Sequence, residues 1–299
     1  MRIDSYAGGA GLPLPGATPG ASPETLPAAT PQPAPGARIE GSGSAQWSAH
    51  RGHGGHPGHV HPPGQTDSQA PPSDSTPGTE RLDVHINLLD ENNRQAQTIR
   101  ARLASANVFA VNLMSSPGAG KTALLEATLP RLTGLRVGVI EGDIETSADA
   151  DRLAGFGIDV VQINTGPFGG DCHLGAPLVD QALSKLPLAD LDLVFVENVG
   201  NLVCPAEFDI GENKKVVLLS LTEGEDKPLK YPLMFRESDL ALLTKTDLAP
   251  FLDADLELAR ANIRRVNPEL DVLCISAKTG EGIDEWLGWL HSEMGRVGR

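Results

Sequence analysis

No apolar run in this sequence approaches the ~20 residues needed to cross a bilayer. The longest, such as 216–221 and 240–243, are strand-sized, so a membrane-spanning class is excluded. The opening Met-Arg-Ile-Asp-Ser-Tyr lacks the apolar core of about 7–15 residues that marks a secretory signal. Cysteine is scarce: Cys172, Cys204 and Cys274 are the only three, and they are widely spaced. That excludes a disulfide framework and makes a reducing cytoplasm the expected compartment. Positive charge is also short, with 24 Lys and Arg against 39 Asp and Glu and a formal charge of −15. No broad field exists to draw in a phosphate backbone or an anionic lipid surface, so neither nucleic acid nor membrane is expected as a partner.

What is present divides in two. Residues 1–80 hold 14 of the 24 prolines among Gly, Ser, Thr and Ala, a composition that cannot bury a core and is expected to be a disordered tail. Within it, 49–63 reads AHRGHGGHPGHVHPP and sets His50, His53, His56, His59 and His61 among flexible spacers. Neutral imidazoles on such a tether can wrap a nickel, copper or zinc ion. From residue 81 to 299 the patterning is that of one α/β domain.

In that domain the spacing of Leu82, Ile86, Leu89, Ala96, Ile99 and Leu103 predicts an amphipathic helix over 82–103. Short β-branched runs follow at 108–114, 137–141, 160–164, 193–197, 215–221, 240–244 and 272–275, mostly separated by helical patterns. Repeated strand and helix predicts a mainly parallel sheet of about seven strands covered by helices on both faces. Ligands then sit at the carboxyl ends of the strands.

The first run ends in Ser115-Ser116-Pro117-Gly118-Ala119-Gly120-Lys121-Thr122, and a helical pattern follows at once. This is a P-loop in its required context. Small residues let the backbone amides curl around phosphates, Lys121 reaches the β and γ oxygens, and the Thr122 hydroxyl binds Mg²⁺. Ser115 stands where the pattern has its first glycine. Phosphoryl transfer also needs a carboxylate beside the magnesium, and strand ends supply two acids, Asp143 first and Glu197 second. Lys121, Asp143 and Glu197 are therefore the catalytic candidates, without an assigned base.

Further on, Thr244-Lys245-Thr246-Asp247 follows an apolar strand, with Thr244 where many GTPases carry Asn. The Asp247 carboxylate can accept two N–H donors from guanine, whereas adenine offers no matching pair, so the acid selects GTP or GDP. Lys245, Asp247 and Ser276-Ala277-Lys278 complete the expected base site.

Cys172 and His173 are adjacent in a Gly-rich stretch after the third strand. Thiolate plus imidazole suits nickel or zinc, but two ligands leave a four-coordinate site incomplete. A second copy of the pair across a two-fold axis could complete it, and Cys204 is an additional candidate. Alternatively, Cys172 is a reactive or merely buried thiol. Cys274, inside an apolar strand, reads as core.

The phrases SSPGAGKT, VIEGD, INTG followed by CHL, ENVGNLVCP, TEGEDKPLKYP and TKTDL occur in that order over 111–248. Together they closely resemble the hydrogenase-maturation nickel-incorporation GTPases, the HypB family, and the similarity extends over 81–290. The resemblance implies a P-loop GTPase of the signal-recognition and MinD-like (SIMIBI) class that hydrolyses GTP with Mg²⁺ and forms a GTP-promoted homodimer. It further implies work with a HypA-like nickel metallochaperone to insert nickel into the [NiFe]-hydrogenase large subunit precursor. Cys172, His173 and Cys204 would then hold Ni²⁺ or Zn²⁺ at the subunit interface. Three features depart from the family: there is no cysteine before Cys172, the 167–171 segment is longer, and Gly175 stands where an acid is common.

Overall fold

The computed structural model describes residues 2–6, 77–143, 148–165 and 172–297, with side chains described outside 2–4, 6, 77–86 and 143. Its strands are β1 (Arg2–Tyr6), β2 (Phe109–Ser115), β3 (Val137–Asp143), β4 (Asp159–Asn164), β5 (Leu193–Glu197), β6 (Lys214–Ser220), β7 (Leu240–Thr244) and β8 (Asp271–Cys274). Its helices are α1 (Pro77–Ala106), α2 (Lys121–Thr128), α3 (Ala148–Ala154), α4 (Ala176–Leu183), α5 (Cys204–Glu207), α6 (Lys227–Lys230), α7 (Pro232–Arg236), α8 (Leu256–Val266) and α9 (Ile283–Val297). Among the described residues they build one sheet in the order β1-β4-β3-β5-β2-β6-β7-β8, parallel from β4 to β8.

The period-2 alternation of buried strands explains why both faces are covered. Val111, Leu113, Val139, Phe195, Val216 and Leu218 face one core with Leu124, Leu125, Trp286 and Leu290 of α2 and α9. Ala110, Ile140, Val161, Val194 and Val196 face the opposite side, against Ala96, Ile99 and Leu103 of α1 and Val179 of α4. Met114, Val217, Leu219, Ala241 and Leu243 pack on Met234 and Phe235 of α7 and on Ala259 and Ile263 of α8. Each fully buried Leu, Val or Phe contributes roughly 1.5–3 kcal/mol.

The seven expected strands stand within a residue or two of their sequence limits. The chain departs from expectation at its start. Arg2–Tyr6, read as tail, pairs antiparallel with β4 from Arg2↔Asn164 to Tyr6↔Val160, making an eighth strand. The reason is that β4 would otherwise be a bare edge, and backbone amides and carbonyls pair there whatever the side chains. α1 also begins earlier than 82, at Pro77, a residue suited to a first helical turn.

The carboxyl ends of the central strands lie together. Glu197 on β5 pairs in register with Glu141 on β3 and Leu113 on β2, just before the loop that follows Ser115. β2 leads to β3 on one side of the sheet and β5 to β6 on the other, so a crevice opens where the order reverses.

Candidate functional site

The loop between β2 and α2 turns inward because two glycines adopt left-handed conformations, Gly118 at φ 74° and Gly120 at φ 101°. A side chain at either would be strained, and the turn aims the amides at the head of α2 toward the crevice. Lys121 folds back so that its Nζ donates to Ser115 Oγ at 3.1 Å. Ser115, the departure from the P-loop pattern, is fully buried and serves as that anchor. Ser116 Oγ is buried with no hydrogen-bond partner among the described residues.

A cleft of about 290 Å³ lies over this loop, walled by Lys121, Thr122, Glu141, Asp149, Glu197 and Asn198. The Thr122 hydroxyl lies 2.8 Å from Glu197 Oε1 and 3.1 Å from Asp149 Oδ2. One hydroxyl proton can satisfy only one of those oxygens, so three oxygens converge in a manner that suits a hard divalent cation. Asp149, on the first turn of α3, is a member sequence reading missed; its only signal was an acid-rich run after β3. Asp143 ends β3 two residues beyond Glu141, the partner in register with Glu197, and itself pairs with Asn164.

The ENVGN phrase lies directly against the P-loop. Asn198 N donates to Leu113 O at 3.0 Å and Asn201 N to Ser115 O at 2.7 Å. A Cβ on Gly200 would come within 2.8 Å of the Pro117 backbone, which is why glycine stands there.

A second cleft of about 270 Å³ shares Gly120 and Ala123 with the first and extends to Thr244, Lys245, Asp247, Ala277 and Lys278. Lys245 is held at φ 60°, a left-handed conformation that is uncommon and costly for a non-glycine residue. Thr244 Oγ1 donates to Ala119 O at 2.7 Å, so the residue in place of Asn ties the base loop to the P-loop. Ser276, fully buried, donates to Asp247 Oδ1 at 2.7 Å and fixes the carboxylate. The lining is apolar apart from such groups, as suits a flat base with one acidic reader.

Cys172, His173 and Cys204 come together: one ligand atom from each lies within 4.8 Å of the others. Cys172 Sγ is 2.6 Å from Cys204 Sγ and 3.7 Å from His173 Nδ1, and all three cysteines of the chain are free. The His173 ring stacks on Phe208 with centroids 3.8 Å apart. Asn201 Nδ2 lies 3.5 Å from Cys204 Sγ. Burial, then the contact with Cys172, pushes the Cys204 thiol up to about 11. Two sulfurs and an imidazole form a borderline-soft donor set matched to nickel or zinc, with a fourth position left for another ligand.

α1 fastens this cluster. Asn92 Oδ1 accepts from Ala176 N at 2.8 Å while its Nδ2 donates to Asp209 O at 2.7 Å. It thus joins the segment after His173 to the one after Phe208. Cys274 stands apart on β8, half-buried, with Arg260 Nη2 at 3.2 Å. His50, His53, His56, His59 and His61, and the 167–171 segment, lie outside the described residues.

The family model described as CobW/HypB/UreG, nucleotide-binding domain, matches residues 109–274. The hydrogenase maturation factor HypB of Escherichia coli K12 is 52% identical over 213 residues, spanning 71% of this chain and 72% of that protein. The chain belongs to the HypB family. HypB of Azotobacter vinelandii is 48% identical over 240 residues, 80% of this chain and 75% of its own. Among solved structures, HypB from Helicobacter pylori in complex with nickel matches with a TM-score of 0.65 and 33% identity, over 69% of this chain and 96% of that one. HypB from Archaeoglobus fulgidus matches at 0.64 with 39% identity, over 69% and 100%. The fold is accordingly the family's P-loop nucleotide-binding α/β sheet, and no helix among the described residues is long and apolar enough to cross a membrane.

Proposed function

We propose that the chain is a GTP-hydrolysing nickel chaperone that delivers Ni²⁺, as cargo, to a [NiFe]-hydrogenase large subunit precursor. The supporting observation is that one segment, 197–204, carries Glu197 into the phosphate cleft and Cys204 into the sulfur–imidazole cluster. A change at the phosphate end of such a segment reaches the metal end without crossing a domain boundary.

In this reading the amides of Ser116, Gly118, Ala119 and Gly120, around Pro117, cradle the phosphates, and the Lys121 ammonium neutralises the β and γ oxygens. Thr122, Glu197 and Asp149, with Asp143, would hold Mg²⁺, which supplies charge neutralisation at the transferring phosphoryl group. Asp247 accepts the guanine N–H donors while Ser276 holds it still, and Ala277 and Lys278 cover the base. Cys172, His173 and Cys204 take up Ni²⁺ or Zn²⁺, and a second protomer, docked when GTP is bound, fills the open position. The His-rich segment 49–63 gathers nickel, and a HypA-like chaperone is the partner in a cytoplasmic maturation step.

The test is nickel binding to the full chain, followed through thiolate-to-nickel charge-transfer absorption, which tail imidazoles do not produce. Wild type should develop the band, and its affinity should differ between GDP and a non-hydrolysable GTP analogue. The double substitution Cys172→Ala with Cys204→Ala should remove it. A band that survives this substitution, or never forms in wild type, sinks the proposal.

A further inference from the structure

The turn that carries Cys172 and His173 is keyed into the wall of the phosphate cleft through the next residue. Leu174 is fully buried, and its side chain fills the gap left by Gly142, where a Cβ would come within 2.8 Å of it. Its backbone N–H donates to Asn198 Oδ1 at 3.0 Å. Gly142 and Asn198 both line the phosphate cleft. Leu174 therefore rests on two groups of the cleft wall.

Asn198 is 1% exposed and part of a polar chain in the protein interior. Its Nδ2 donates to Asn112 Oδ1 at 3.2 Å, and Asn112 Nδ2 donates to Glu212 Oε1 at 3.2 Å. Glu212 Oε2 in turn accepts from Ile210 N at 2.8 Å, two residues beyond the Phe208 ring that stacks on His173. The chain thus holds both segments that frame the metal cluster, and it crosses β2 and β5, the strands that carry the P-loop and Glu197. Buried carboxamides on central strands are costly unless every donor and acceptor is met, so a shift of one member drags its neighbours.

We infer that Asn198 is the positioning residue through which the nucleotide state sets the metal affinity of Cys172, His173 and Cys204. When the strand end at Glu197 and Asn198 moves with the γ-phosphate, Asn198 moves Leu174 and the Cys-His turn with it. Asn112 accepts from Asn198 and lies outside the lining of both clefts and outside the metal cluster. The inference rests on the nickel-chaperone reading above.

The experiment uses the full chain with Ni²⁺ as probe, reading the thiolate charge-transfer band in the presence of Mg²⁺ with GDP or a non-hydrolysable GTP analogue. Wild type should show a ratio of nickel affinities between the two states of ~10-fold. Asn198→Ala and Asn112→Ser should keep the band and bring the ratio to within about twofold of one. Variants that keep the wild-type ratio overturn the role of Asn198 while leaving the chaperone reading intact. A missing band in wild type overturns the reading itself, and the inference with it. A second measurement needs no variant: hydrogen exchange at the Leu174 amide of wild type. Its protection should change between the two nucleotide states, and equal protection in a protein whose nickel affinity does change defeats the inference.

Discussion

Thr122 Oγ1 lies 2.8 Å from Glu197 Oε1, on the helix that follows the P-loop and the strand next to it, with Asp149 Oδ2 at 3.1 Å on the other side. Those three oxygens form the corner of the cleft that the proposed function gives to Mg²⁺, and they come from three different elements.

Glu197→Gln keeps the shape of this corner and removes one negative charge. GTP turnover should fall by ~100-fold or more, because charge stabilisation by the metal is worth several kcal/mol. The magnesium concentration for half-maximal rate should rise. Single-turnover hydrolysis across a magnesium titration checks both, and an unchanged magnesium dependence would remove Glu197 from the metal side.

Asp247→Asn replaces an acceptor with a donor in the base cleft. One hydrogen bond to a charged group, ~1.5–3 kcal/mol, is replaced by a donor facing a donor and the other loses its charge assistance, so guanine nucleotide affinity should drop by ~10-fold or more. Xanthosine nucleotides, which present an oxygen where guanine has its amino group, should gain. Competition binding with GDP and XDP reads the exchange, and parallel losses for both nucleotides would contradict the assignment.

Nickel affinity at the cluster should depend on pH through Cys204. Burial and the Cys172 contact hold this thiol up at about 11, so near neutrality it carries a proton that an incoming ion must displace. Affinity should therefore rise with pH, by ~10-fold per unit for each proton released. In the metal-free protein the same raised value favours the neutral thiol. The associated stability is full below the ordinary thiol range near 9.0 and is lost as pH rises through about 11. Chelator competition at pH 6 to 8 tests the first statement; a flat profile would show that Cys204 is not a ligand.

Trp286 is fully buried on α9 and donates from Nε1 to Thr128 Oγ1 at 3.0 Å. Trp286→Ala should cost ~3–5 kcal/mol, through a cavity and an unfilled hydroxyl acceptor. Trp286→Phe should cost less, since it restores most of the volume and loses only the hydrogen bond. Urea unfolding midpoints of the two variants give the comparison, and equal losses would mean that the hydrogen bond, not the packing, dominates.

The sequence determined the strand and helix order, the P-loop, the candidate base reader Asp247 and the candidate ligands. Each of these is local: a period of two or 3.6, a glycine where the chain turns, or a reactive residue type in a short phrase. The tertiary structure alone decided what those phrases do to one another. Asp149 had no signal beyond an acidic run, because its role comes from the path of α3 over the cleft. Ser115 looked like a departure and proved to be the anchor for Lys121, a pairing set by the curl of the loop. β1 was invisible because pairing at a sheet edge is made by backbone groups, which five residues of ordinary composition do not advertise. Cys204 stood in the sequence as an additional candidate, and only the fold brings it to Cys172. The same holds for Asn112, Asn198 and Glu212, far apart in the chain and unremarked there. Their meaning is a buried hydrogen-bond path, and such a path exists only once the strands lie side by side.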